Sequence, residues 1–135
     1  MRRFVFIKTR FEALHYYAEA PNEVVFLKYP HRHVFHVEVK IEVFHNEREI
    51  EFIMLKRFVD SKILADWKTK EDGSDSEGLP FSCETIAEVI IKKITDRFFM
   101  DDNTPRSIVV TVSEDDENGA IVTDIINGDL EKWTD

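Results

Sequence analysis

The chain has 135 residues, enough for one domain that buries a core without disulfide or metal staples. Its 43% hydrophobic and 33% charged residues exclude a disordered chain, and eleven Phe point to an aromatic core. A net charge of -9 repels phosphate backbones and anionic lipid, so neither nucleic acid nor a membrane is expected as a partner, and the single Cys83 excludes an intrachain disulfide framework and suits a reducing compartment.

The first apolar run, Val5-Phe6-Ile7, meets Lys8 and Arg10 too soon for a signal peptide or a membrane span, and a cytoplasmic location is expected. Alternation from Arg3 to Leu14 predicts a strand with Val5, Ile7, Phe11, Ala13 and His15 on one face and Phe4, Phe6 and Leu14 on the other. Tyr16 to Pro30 has no clear period and is a connection, within which Val24-Val25-Phe26-Leu27 is a short apolar turn or a strand edge. A second strand is predicted from His31 to about Phe44, closed by the polar turn His45-Asn46-Glu47-Arg48.

The period then changes. Phe52, Leu55, Phe58, Val59, Ile63 and Leu64 include the spacings of an amphipathic helix, placed over about Ile53 to Trp67. Lys68 to Pro80 reads as a solvated loop, because its acidic run over 71–77 lacks the ligand order of a calcium loop. Ser82 is a candidate N-cap for a second helix whose Ile86, Val89, Ile90, Ile94 and Phe98 share a face. Asp101 to Pro105 breaks the chain, and Ser107–Val112 with Ala120–Ile125 read as a closing hairpin around the loop Asp115 to Gly119. The order ββααββ predicts an α+β domain over 1–127, a four-stranded antiparallel sheet with both helices on one face, followed by a polar tail over 128–135.

The stretch that carries chemistry is His31-Arg32-His33-Val34-Phe35-His36-Val37-Glu38-Val39-Lys40-Ile41-Glu42-Val43. On a pleated strand His31 and His33 share a face with Phe35, Val37, Val39, Ile41 and Val43, whereas Arg32, His36, Glu38 and Lys40 face the other way. Two imidazoles two residues apart at the end of a buried stripe are placed to reach one metal ion. A lone histidine on an apolar face is ordinarily a core residue, and His15 by itself would be read that way.

Together these residues resemble the 6-pyruvoyl tetrahydropterin synthase family, which includes 6-carboxy-tetrahydropterin synthase of the 7-deazaguanine (queuosine) pathway. The resemblance spans about Phe4 to Val122. It rests on Phe11-x-x-x-His15, on His31-x-His33 opening an alternating strand, on Ser82-Cys83-Glu84-Thr85-Ile86-Ala87, and on Val110-Thr111-Val112-Ser113-Glu114. It implies a tunnelling-fold unit that pairs its sheets into trimers or hexamers. It also implies a zinc ion on His15, His31 and His33, and a dihydroneopterin triphosphate-type substrate near Ser82 and Glu84 whose ring Glu114 holds. Three imidazoles leave one tetrahedral position open, as a catalytic zinc requires.

The departures fall on the proton-transfer residues. No thiol stands before His31-x-His33, where Val25, Phe26, Leu27, Lys28 and Tyr29 lie; Trp67 follows Asp66 where the family has His; and Arg32 replaces the usual Gly. Glu23 and Asp66 are the candidate catalytic residues, and Cys83 reads as a small core residue. Two expectations follow: a zinc-dependent synthase-like lyase with an altered base, or an inactive member that binds a pterin, purine or nucleotide.

Overall fold

In the computed structural model, which describes residues 1–68 and 81–129, apolar alternation becomes four long strands. They are β1 (Arg3–His15), β2 (His31–Val43), β3 (Phe99–Glu114) and β4 (Asn118–Asp129), antiparallel and in the spatial order of the sequence. This is the expected α+β architecture with its ββααββ order. On the covered face Ile7, Phe11, Phe35, Val37, Val39, Ile41, Ile108, Val110 and Val112 are buried, and two helices lie against them. Helix α1 (Phe52–Phe58) packs on β1, and helix α2 (Cys83–Thr95) packs on β3 and β4.

The local signals explain the element ends. Glu51 caps α1 by accepting the Met54 N–H at 2.9 Å, and Ser82 caps α2 by accepting the Thr85 N–H at 3.2 Å. α2 buries Ile86, Ile90 and Ile94 as its sequence period predicts, but Ala87 and Ile91 join them while the expected Val89 is only half-buried.

Three elements differ from their sequence expectation. The helix expected over 53–67 is α only to Phe58. It then widens into a π turn, Val59–Ile63, in which the Leu64 N–H reaches the Val59 carbonyl, and ends in a 3-10 turn, Leu64–Asp66. Residues four apart drift about 40° around an α-helix. A wider turn winds that drift back, which keeps Leu55, Val59 and Ile63 all at 0% exposure against the sheet. The connection after β1 holds neither a strand edge nor a simple turn but a 3-10 segment, Asn22–Lys28, kinked at Val24. Finally, β3 begins at Phe99, so the expected break at Asp101 to Pro105 is a register shift against β4 between Met100 and Pro105. Pro105 fits there because β2 pairs with β3 only from Ile108 onward, leaving no ladder partner that needs a proline N–H. β4 runs to Asp129, so the first two residues of the expected tail are strand. The rest of that tail, 130–135, and the acidic loop 71–77 lie outside the described residues.

Candidate metal centre

The strand register builds the site. His15, the last residue of β1, stands directly opposite His31, the first of β2, and His33 lies opposite Ala13 on the same face. Glu114, the last residue of β3, pairs with Phe35. Three strand ends therefore deliver three imidazoles and a carboxylate to one corner of the covered face. Phe35, fully buried and stacked on Phe11 at 5.1 Å, forms its floor, 5.6 Å from the His15 ring and 6.1 Å from the His33 ring.

Each imidazole has one nitrogen engaged. His15 Nε2 donates to the Phe81 carbonyl at 2.6 Å, His31 Nδ1 to the Tyr29 carbonyl at 2.8 Å, and His33 Nδ1 to the Asp115 carboxylate at 2.6 Å. The three acceptors carry no hydrogen, so those nitrogens are the protonated ones. The opposite nitrogens, His15 Nδ1, His31 Nε2 and His33 Nε2, are buried and have no hydrogen-bond partner among the described residues. One ring nitrogen from each histidine lies within 4.8 Å of the others. At Zn–N bonds of ~2.0–2.1 Å in a tetrahedral site the ligand nitrogens lie roughly 3.4 Å apart, so the three rings must close by on the order of 1 Å to share one ion.

The electrostatics fit a cation between these groups. Glu114 Oε1 lies 3.5 Å from His15 Nδ1 and Glu114 Oε2 lies 3.5 Å from His33 Nε2, so a carboxylate faces two imidazole lone pairs. Without a positive charge between them this juxtaposition is unfavourable. A proton on His15 is disfavoured, because burial pushes its pKa down and the neighbouring His31 and His33 push the same way, against the opposing pull of Glu114 and the Phe81 carbonyl. A neutral imidazole is the form that binds a metal. Three imidazoles held by outer partners, each with a ring nitrogen close to those of the others, form a donor set that could hold a metal ion.

A cavity of about 550 Å³ opens beside the triad, walled by His15, His31 and Glu114, by Tyr16, Tyr17 and Leu27 from the first connection, by Ser82 to Thr85 from the start of α2, and by Asn118 and Gly119 from β4. Gly119 is obligatory there, because a Cβ would lie 2.0 Å from the Val112 carbonyl oxygen. A sequence profile of 6-pyruvoyl tetrahydropterin synthase matches residues 5–124. The chain belongs to the 6-pyruvoyl tetrahydropterin synthase family. No individual curated protein matches it.

Within this synthase-family site the structure brings together His15, His31, His33, Glu114, Ser82 and Glu84. It does not bring in Glu23, exposed in the first turn of the 3-10 segment, or Asp66, exposed at the end of the turn after α1; neither lines the cavity. Arg32 faces away and pairs with Glu12 at 2.7 Å, while Trp67 packs against Phe11 in the core. Sequence reasoning missed Asp115, read only as the start of the hairpin loop, and the carbonyls of Tyr29 and Phe81. A signal for Asp115 existed in Glu114-Asp115-Asp116-Glu117, since Asp is among the few residues that accept the left-handed backbone found at Asp115 (φ 55) and Asp116 (φ 59). Among the described residues no helix is long and apolar enough to cross a membrane.

Proposed function

We propose that this chain is a zinc-dependent 6-pyruvoyl/6-carboxy-tetrahydropterin synthase-like protein acting on a dihydroneopterin triphosphate-type substrate, in pterin or 7-deazaguanine (queuosine) synthesis. The observation that carries this reading is the set of three buried imidazole nitrogens, without a hydrogen-bond partner among the described residues, beside a cavity in a chain of this family. His15, His31 and His33 would hold the ion, which when bound polarises oxygens of a ligand at its open position. Glu114 has two acceptor oxygens at the cavity wall, suited to the paired N–H donors of an amino-pyrimidine edge. Ser82 and Glu84 also line the cavity and would contact the same ligand.

The second reading, a binding member without turnover, is favoured by the state of the cavity's only cysteine. Burial, with the charges of Glu114 and Glu84, pushes the Cys83 thiol up to about 11, so it is a protonated group at neutral pH and no substitute for an activated thiol. Glu23 and Asp66 remain proposed bases that would need a rearrangement to reach a ligand.

Metal analysis of protein purified without added zinc should find one zinc per wild-type chain and its loss in His33→Ala; equal zinc in both would remove the centre of the reading. Incubation of the metal-loaded protein with 7,8-dihydroneopterin triphosphate, beside an active synthase as control, then separates the two readings. Turnover supports the enzyme. Calorimetric binding without turnover supports the binding protein.

A further inference from the structure

Of the three histidines, His15 and His31 are held by main-chain carbonyls, whereas His33 is held by a side chain. That side chain belongs to Asp115, in the turn between β3 and β4. The Asp115 N–H donates to the Val34 carbonyl at 2.7 Å, its Oδ1 accepts the Val34 N–H at 3.0 Å, and its Oδ2 accepts from His33 Nδ1 at 2.6 Å. One residue thus clasps two consecutive residues of β2, continuing the β2–β3 pairing past Phe35 and Glu114. The left-handed backbone of Asp115 turns the carboxylate back onto β2.

We infer that Asp115 is a positioning residue of the metal centre, which fixes His33 as the Nδ1–H tautomer and so presents its Nε2 lone pair to the ion. The inference rests on the zinc reading above. A carboxylate offers only acceptors, so it satisfies both the Val34 N–H and His33 Nδ1–H. An amide in its place has one acceptor for these two donors. With its oxygen on the Val34 N–H, its NH₂ faces His33 Nδ1 and favours the other tautomer, placing a hydrogen on the nitrogen that should bind metal. Asn tolerates the left-handed backbone as Asp does, so the turn itself is retained.

The test measures zinc affinity by competition with a chromophoric chelator for wild type, Asp115→Asn, Asp115→Gly and Asp116→Asn, together with imidazole ¹⁵N shifts of the metal-free proteins. Asp115→Gly keeps a residue suited to the turn while removing the carboxylate, which guards against a failure of the Asn variant to fold. Asp116→Asn makes the same charge change one residue away in the same turn. Loss of an outer partner of a metal-binding histidine typically weakens affinity ~10–100-fold, and that fall is expected for both Asp115 variants and not for Asp116→Asn. The ¹⁵N shifts should report His33 as Nδ1–H in wild type and as Nε2–H in Asp115→Asn. Wild-type affinity in both Asp115 variants, or an equal fall in Asp116→Asn, would overturn the inference while leaving the zinc site standing. Failure of the wild type to take up zinc would overturn the site and the inference together.

Discussion

Cys83 lies in the cavity wall, 7% exposed, with its Sγ 4.0 Å from Oε1 of Glu114. Its thiol pKa is raised by burial first, then by the two carboxylates, from 9.0 to about 11. A raised folded pKa means that the unfolded chain ionises first as pH rises. The contribution to stability is therefore present below about pH 9 and lost between there and about pH 11. Alkylation of the folded protein by iodoacetamide should be slow at pH 8 and keep accelerating to about pH 11; a plateau just above pH 9 would show an unperturbed thiol. The residue scale also shows where reading a sequence succeeds. His31 and His33 are legible because strand alternation places them on the apolar face regardless of what covers it. Asp115 is not, because its bond to His33 joins residues 82 apart and exists only once the β3–β4 turn folds beside β2.

At the scale of elements, the start of α2 presents Ser82, Cys83, Glu84 and Thr85 to the cavity, so its cap does double duty in stability and site shape. Ser82→Ala leaves the Thr85 N–H without its side-chain acceptor and should cost about 1 kcal/mol, read as a lower urea midpoint with an unchanged slope. No change in midpoint would show that the cap adds nothing. This helix was legible from its cap and its apolar period. The first helix was only half legible. Its apolar spacing marks a helical path from 52 to 64, yet whether the path stays α or widens is settled by the sheet it must cover, since Leu55, Val59 and Ile63 all have to reach one surface. The extent of β3 was hidden for a related reason. Asp101 to Pro105 carries break signals; the register against β4 shifts across it, and pairing at Phe99 and Met100 and again from Pro105 carries the strand through.

Among the described residues, the helices cover one face of the sheet and leave the other bare. Phe4 (38% exposed) and Phe6 (55%) on β1, with Ile121 (68%) and Ile125 (53%) on β4, stand on the uncovered face at the two edge strands. Long edges with apolar residues invite pairing with another copy. We expect a homo-oligomer, a trimer or hexamer joined through β1 and β4, and light scattering should return that mass. A monomer would count against assembly. Substituting Phe6→Lys together with Ile121→Lys should shift the mass downward if these edges carry the contacts.

The family resemblance supplied the trio His15, His31 and His33; by itself the sequence determined which residues share a strand face, the α+β order and the cap of α2. These follow from side-chain direction along a strand or helix, a local property of the backbone. Only the tertiary structure decided that β1, β2 and β3 end at one corner with Glu114 over the triad, that Asp115 locks His33, and that Glu23 and Asp66 stand outside the cavity. Those facts depend on register and packing between residues far apart in the chain, and periodicity along a single segment carries no information about them.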